Sequence, residues 1–402
     1  MGGFDLKEVT VTHHLAEQND RIMAPMMPFM RFFLEGAWGN RTAPGADFVA
    51  GNPQEMPLPG FTAAVRRWAE PQDKDWFAYK ENVDSAQEAV ASALRGRTGM
   101  PFEPDDISMT TGAFAGLSIC MRTLLDPGDE VVYLSPPWFF YESMIVSAGG
   151  VPVGVKIPPP DFDLPLDAIA AAITERTRIV IVNTPHNPTG RMYPADDLER
   201  LAQILAGASE RNGRPVWLLS DEAYNRIVYT PNEHVSPVAF YPHSFLIYTY
   251  GKQLLTPGER VGYVALPPSM PDRESVRTAV FAQSLVVGWA FPNAIQQYMI
   301  GDLEGMTIDL EHLQRKRDRM VEGLRAAGYE LHVPEGAFYL LPKSPNPDDD
   351  AFTERLAQDE VYILPGSIVE LPGYFRISIT ASDEMIEQAL PVFEKAFAEA
   401  MP

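Results

Sequence analysis

From residue 112 to residue 266 the chain alternates short apolar runs with stretches of helical period. Residues 130–135, 151–155, 178–183, 216–220, 245–249 and 261–266 are such runs, bounded by glycine, proline or charged residues, and they predict buried strands. Leu117, Cys120, Met121, Leu124 and Leu125 share one face of a helix that Asp126, Pro127 and Gly128 close. Residues 166–173 and 195–211 predict further helices. Strand and helix in alternation make an α/β unit.

Past Pro267 the pattern changes to an apolar, aromatic stretch at 285–299 and a long helix of mixed charge at 308–327. Short strands at 329–333, 337–341 and 374–379 then alternate with helices, which predicts a second, smaller α/β domain. The expected division is an arm and part of the small domain over 1–47, a large domain over 48–284 and the small domain over 285–402. The arm carries no strand signal, and its methionine- and aromatic-rich stretch at 23–33 reads as a packing surface. Gly51 and the prolines after it make 48–61 a fixed loop.

At 402 residues the chain exceeds what one core usually serves, in keeping with two domains. A formal charge of −22 argues against nucleic acid or an anionic membrane as partner, so any phosphate must be met by a local site. Cys120 is the sole cysteine, which leaves no intramolecular disulfide. The N-terminus is polar, position 6 is Leu6 where a myristoylation signal has Ser or Thr, and no apolar run reaches the ~18 residues of a membrane span. A cytoplasmic location is the expectation.

Candidate chemistry sits where predicted strands end. Lys252 lies in a hydroxyl- and glycine-containing turn between the runs 245–249 and 261–266. Partial shielding there favours a neutral, nucleophilic amine, as a Schiff-base lysine requires. The loop Gly112, Ala113, Phe114 feeds a helix N-terminus, whose free N–H groups suit an anion. Asp221 ends the strand 216–220, and Asn187 lies in Asn-Pro-Thr-Gly after the strand 178–183. Arg376, within an apolar strand, needs an anionic partner.

These motifs, in this order, resemble the class I/II aminotransferases, fold-type-I enzymes that use pyridoxal 5'-phosphate (PLP). Thr249, Lys252, Gly258, Arg260 and Gly262 match the family's lysine motif. The resemblance implies a large domain with a mostly parallel central sheet flanked by helices, a smaller α/β domain, and a homodimer with shared active sites. It implies that Lys252 holds PLP and acts as base, that Asp221 pairs with the pyridine nitrogen, and that Tyr224 and Asn187 donate to the phenolic oxygen. It assigns Trp138 to stacking on the ring, Arg376 to the substrate α-carboxylate, and Gly51 to the family's substrate-side loop. Gly112, Ala113, Phe114, Thr249 and Arg260 would hold the phosphate, with Tyr79 reaching across to the partner subunit's phosphate. Most relatives carry a hydroxyl or amide in the phosphate loop, which Phe114 cannot supply.

The implied reaction moves an amino group between an L-amino acid and a 2-oxo acid. The stretch 280–291 has no arginine for a second carboxylate, so the expectation leans to a bulky apolar or aromatic side chain walled by Met26, Met27, Phe29 and Trp289. Lys80, Arg31 and Arg41 keep an aspartate- or glutamate-type enzyme open. The same scaffold also supports decarboxylation, β-elimination and amino-acid oxidation. A PLP-binding regulator would bring a DNA-binding domain and a basic face, neither of which is present. A catalytically dead interaction protein would not keep Lys252, Asp221 and Arg376. No metal site is expected.

Overall fold

The computed structural model describes residues 15–41 and 44–400, and the polar stretch that includes Leu6 lies outside them. Helix α1 (Gln18–Leu34) comes first, with Pro25 and Pro28 inside it. Two prolines remove two helical N–H donors, so this helix is held by packing. Phe29 stacks on Phe139 at 4.9 Å, and Ser143 Oγ donates to Ile22 O at 2.9 Å. The methionine-rich stripe is thus one side of a helix. Strand β1 (Ala46–Asp47) pairs in parallel with Val361–Tyr362 and joins the arm to the small domain.

The main sheet has seven strands: β2 (Ile107–Thr110), β3 (Glu130–Ser135), β4 (Val151–Lys156), β5 (Thr177–Asn183), β6 (Trp217–Asp221), β7 (Ser244–Thr249) and β8 (Gly262–Ala265). Their spatial order is β2-β8-β7-β6-β5-β3-β4. Strand β8 runs antiparallel to both neighbours and the other pairings are parallel. Every residue of β3, β6, β7 and β8 is buried, as a sheet covered on both faces requires.

Alternation divides the apolar residues between the two faces. Val132, Val180 and Leu218 join the helix Ala195–Asn212, while Val131, Ile179, Leu219 and Ile247 join the core around α4 (Ala113–Leu124), which follows α2 (Pro59–Ala69) and α3 (Asp84–Thr98) in the chain. Helices Ala294–Tyr298 and Ile300–Glu304 pack with helices Pro59–Ala69 and Asp84–Thr98 beside the main sheet. A second core gathers most of the buried apolar residues from Ile308 and Leu313 onward, together with Ala46, Phe48, Ala223, Tyr224, Ile227 and Tyr229. We therefore propose the division between the units near Ile308 instead of residue 285.

The small domain's sheet joins Leu364–Pro365, Phe375–Ser378 and Tyr339–Leu340 in antiparallel pairs. The expected strand at 329–333 is not formed. Tyr329 is buried in the second core with its hydroxyl on Phe393 O at 2.9 Å, and the segment's backbone forms no ladder. The loop expected over 48–61 ends at Leu58, because Pro59 opens a helix, where its missing N–H costs nothing.

Gly262 shows how closely the sheet passes beneath the loop that starts α4. A Cβ at Gly262 would overlap Tyr248 O and stand 2.9 Å from Gly112 Cα. Gly262→Ala should therefore lower stability by about 1–3 kcal/mol, the usual cost of overpacking. Thermal unfolding would show this as a drop of several degrees, and an unchanged midpoint would contradict the close approach.

Candidate active site

The carboxyl ends of β5, β6 and β7 deliver the candidate residues to one cavity of about 240 Å³. Asp221 is the last residue of β6 and is buried. Tyr141 donates its hydroxyl to Oδ2 at 2.5 Å, and the Ala223 N–H donates to Oδ1 at 3.2 Å. Burial pushes this carboxyl up to about 6, against both hydrogen bonds. Its hydrogen-bond donors are both neutral, and the Lys252 charge acts on it from a distance, with a smaller downward pull than burial's upward push.

Lys252 sits in the single helical turn Tyr250–Gln253 that follows β7, with Thr249 as the preceding cap residue. Its Nζ lies 5.8 Å from the centre of the Tyr224 ring and 5.7 Å from that of Phe338. Lys252 is one of the residues that line the cavity.

Gly112 caps α4 with φ +92°, a conformation that suits glycine. A Cβ there would stand 3.0 Å from the Arg260 guanidinium and 3.3 Å from Thr249 Oγ1. The bare backbone, the first N–H groups of α4 at Ala113 and Phe114, Arg260 and Thr249 thus converge as an anion cradle. Phe114 turns its ring away from that task and meets Trp138 edge-on, centroids 4.9 Å apart at 82°.

On the small-domain side Arg376 is buried, its Nη1 donating to Asn187 Oδ1 at 3.1 Å and its Nη2 to Val49 O at 2.9 Å. Its Nε has no partner, and all its partners are neutral. Tyr339 lies beneath this guanidinium, 4.1 Å from ring centre to Cζ, with its hydroxyl 3.5 Å from that of Tyr224. Burial alone would raise the Tyr339 hydroxyl, but the charges of Lys252 and Arg376 hold it below its ordinary range. Gly51 must be bare, since a Cβ would stand 2.7 Å from the Tyr339 hydroxyl.

One predicted residue stays apart. Tyr79 is 87% exposed, rests on Phe291 at 5.1 Å and does not line the cavity. Of the expected wall residues Met26, Met27, Phe29 and Trp289, none lines it either; Phe33 does, and Phe29 backs Phe139. Tyr141, Asn183 and Tyr339 are site residues that received no role from the sequence. Asn183 donates to Asp221 O at 2.7 Å and accepts from the Asn187 N–H at 2.7 Å, which fixes the Asn187 loop to the end of β6. The one signal for Tyr141 is its place three residues after Trp138.

The family model for aminotransferase class I and II matches residues 47–393. The chain belongs to this family. It is 33% identical over 373 residues to an aspartate/prephenate aminotransferase from Thermus thermophilus, covering 89% of this chain and 92% of that one. An amino transferase structure from Eubacterium rectale superposes with a TM-score of 0.87 at 29% identity, covering 97% of this chain and 100% of the other. The Thermus thermophilus aspartate aminotransferase with maleate gives 0.79 at 29% identity, over 96% and 100%.

This aminotransferase is a PLP enzyme, as its family is. Its site fits the cofactor: an amine lining the cavity, a buried carboxylate whose hydrogen-bond donors are neutral, and a glycine cradle that a Cβ would fill. The raised pKa of Asp221 favours the folded apoprotein below the unfolded value of 3.8, and that contribution is lost as pH rises through about 6. In Tyr141→Phe a hydrogen bond to the ionised form is gone, so the acid limb of kcat/KM should move up by about one pH unit, equivalent to about 1.5 kcal/mol. An unmoved limb would show that Tyr141 does not act on Asp221.

Proposed function

We propose that this aminotransferase moves the amino group between an L-amino acid with a bulky apolar or aromatic side chain and a 2-oxo acid. The cavity wall carries this reading. Phe33, Phe114, Trp138 and Phe139 form it, and its cations among the described residues are Lys252, Arg260 and Arg376. Each of those has a task at the cofactor or the α-carboxylate, so a distal carboxylate would meet rings. Lys80, Arg31 and Arg41 do not line the cavity.

When bound, PLP supplies an electron sink that makes the substrate's Cα proton acidic. Lys252 Nζ would hold the cofactor, and its amine would be the base for the Cα proton. Asp221 holds a proton on the pyridine nitrogen, where its buried charge is answered. Tyr224 and Asn187 donate to the phenolic oxygen; Asn187 has its Oδ1 engaged by Arg376, which leaves its N–H groups for that task. The backbone at Gly112, Ala113 and Phe114, with Thr249 and Arg260, holds the phosphate, and Trp138 covers one face of the ring. Arg376 fixes the α-carboxylate through a planar fork that lacks an anion within the chain. Gly51 leaves room beside it.

We read the active form as a homodimer: Tyr79 and Phe291 are exposed in contact with each other in support, and Tyr79 is assigned to the partner's phosphate. The buried free Cys120 supports a cytoplasmic location. The names of the relatives favour a second reading, an aspartate-type enzyme, with a cation for the distal carboxylate supplied from outside this cavity.

A panel of single amino acids with 2-oxoglutarate separates the two. Phenylalanine, tyrosine or leucine should exceed aspartate in kcat/KM by about tenfold or more, the least worth of one buried methylene in an apolar pocket. A tenfold preference for aspartate would replace the first reading with the second. Lys252→Ala should abolish turnover with either class, and residual activity at the wild-type level would remove Lys252 from its role.

A further inference from the structure

The turn Asp221–Arg226 has two working faces. Asp221, Ala223 and Tyr224 line the active-site cavity, while Glu222, Asn225 and Arg226 line a second cavity of about 490 Å³ that shares no lining residue with it. Glu222 is fully buried. Ser220 and Ser236 donate their hydroxyls to Oε1 at 2.9 and 2.5 Å, and Asn225 Nδ2 donates to Oε2 at 3.0 Å. All three donors are neutral.

A buried carboxylate ordinarily has a cation beside it. Arg97 and Arg226 line the same cavity, but their guanidinium groups are bound to Glu304 at 3.0 and 2.6 Å. Among the described residues, the group within ion-pair reach of Glu222 is His234, its Nε2 3.8 Å from Oε2, beyond hydrogen-bond distance. Burial holds the imidazole below its usual pKa despite the pull of Glu222. With its other side bonded to the Thr184 backbone, the neutral ring presents Nε2 as an acceptor.

His234 Nε2 and Asn225 Oδ1 are both buried without a hydrogen-bond partner. Three acceptors, the Glu222 carboxylate, the His234 imidazole and the Asn225 amide oxygen, therefore border one cavity, the last two without a donor, while the two guanidiniums of that cavity are turned to Glu304.

We propose that this corner binds a primary ammonium group, as free ammonium or as the head of a small amine. The three N–H donors of R–NH3+ match three acceptors, and its charge meets Glu222. Arg226 Nε, also without a partner, offers a donor to a polar group on R. Occupancy fixes the turn whose other face carries Asp221 and Tyr224, which makes the site a modulator of the cofactor pocket.

Thermal unfolding of the holoenzyme in ammonium chloride and in methylammonium chloride tests this, against equal concentrations of sodium, potassium and tetramethylammonium chloride. Tetramethylammonium has the charge without the N–H groups. The midpoint should rise saturably with ammonium, methylammonium or both, not with the other three, and half-saturation should weaken at least tenfold in Glu222→Gln. A response to ammonium alone places free ammonium in the site; one that extends to methylammonium admits small amines. An equal response to potassium, no saturable response, or an unaltered one in Glu222→Gln overturns the proposal.

Because Glu222→Gln disturbs a buried network, an imidazole NMR titration of the wild-type protein accompanies it. His234 should be neutral at pH 7 and its signal should shift on adding ammonium. An imidazolium at pH 7 without ammonium would make His234 itself the cation and overturn the site.

Discussion

A carboxylate held inside the protein without a cation beside it is the constraint on which this site depends. Asp221 is buried at the end of β6, and burial raises its pKa to about 6. Tyr141 and the Ala223 N–H orient it, but neutral donors do not replace a charge. A protonated ring nitrogen is a partner that answers the charge and uses it, since a positive ring draws electrons from substrate. Arg376 is the mirror case, a buried guanidinium whose partners are all neutral and which waits for a carboxylate. In the proposed reading, one buried anion and one buried cation set the two ends between which substrate and cofactor would lie.

The fold holds these groups by making their neighbours part of the sheet. Parallel β5 and β6 end side by side, with Asn183 opposite Asp221 in register, so the Asn183 amide ties the Asn187 loop to the end of β6. Strand β7 places Thr249 and Lys252 next in line, and β8 passes beneath Gly112 so closely that only glycine fits at Gly262. The small domain closes the other side through Tyr339 and Arg376, which lie on adjacent strands. Rigid strand ends on one side and a second domain on the other are the usual setting of a cofactor cleft.

Much of this arrangement is legible in the order of the amino acids. The run 130–135 is a strand over just those residues, because a strand buried on both faces reads as continuous apolar sequence. Lys252, Asp221, Asn187 and Arg376 all reach one cavity, since each stands at a strand end or within a short motif. Sequence distance hides the rest. The hydrogen bond from Tyr141 to Asp221 joins residues 80 apart, and the stacking of Tyr339 under Arg376 depends on pairing between short strands. Helix α1 is hidden for a different reason: Pro25 and Pro28 argue against a helix locally, and its packing on Phe139 overrides them.

The most direct measurement of the central claim is a ¹³C NMR titration of the Asp221 carboxyl in the apoenzyme and again with PLP bound. The apo midpoint should lie near 6, well above the 3.8 of a free aspartate, and should fall once a ring cation stands against it. An apo midpoint near 4, or one that does not move when the cofactor binds, would contradict the view that an unanswered buried charge at Asp221 organises the site.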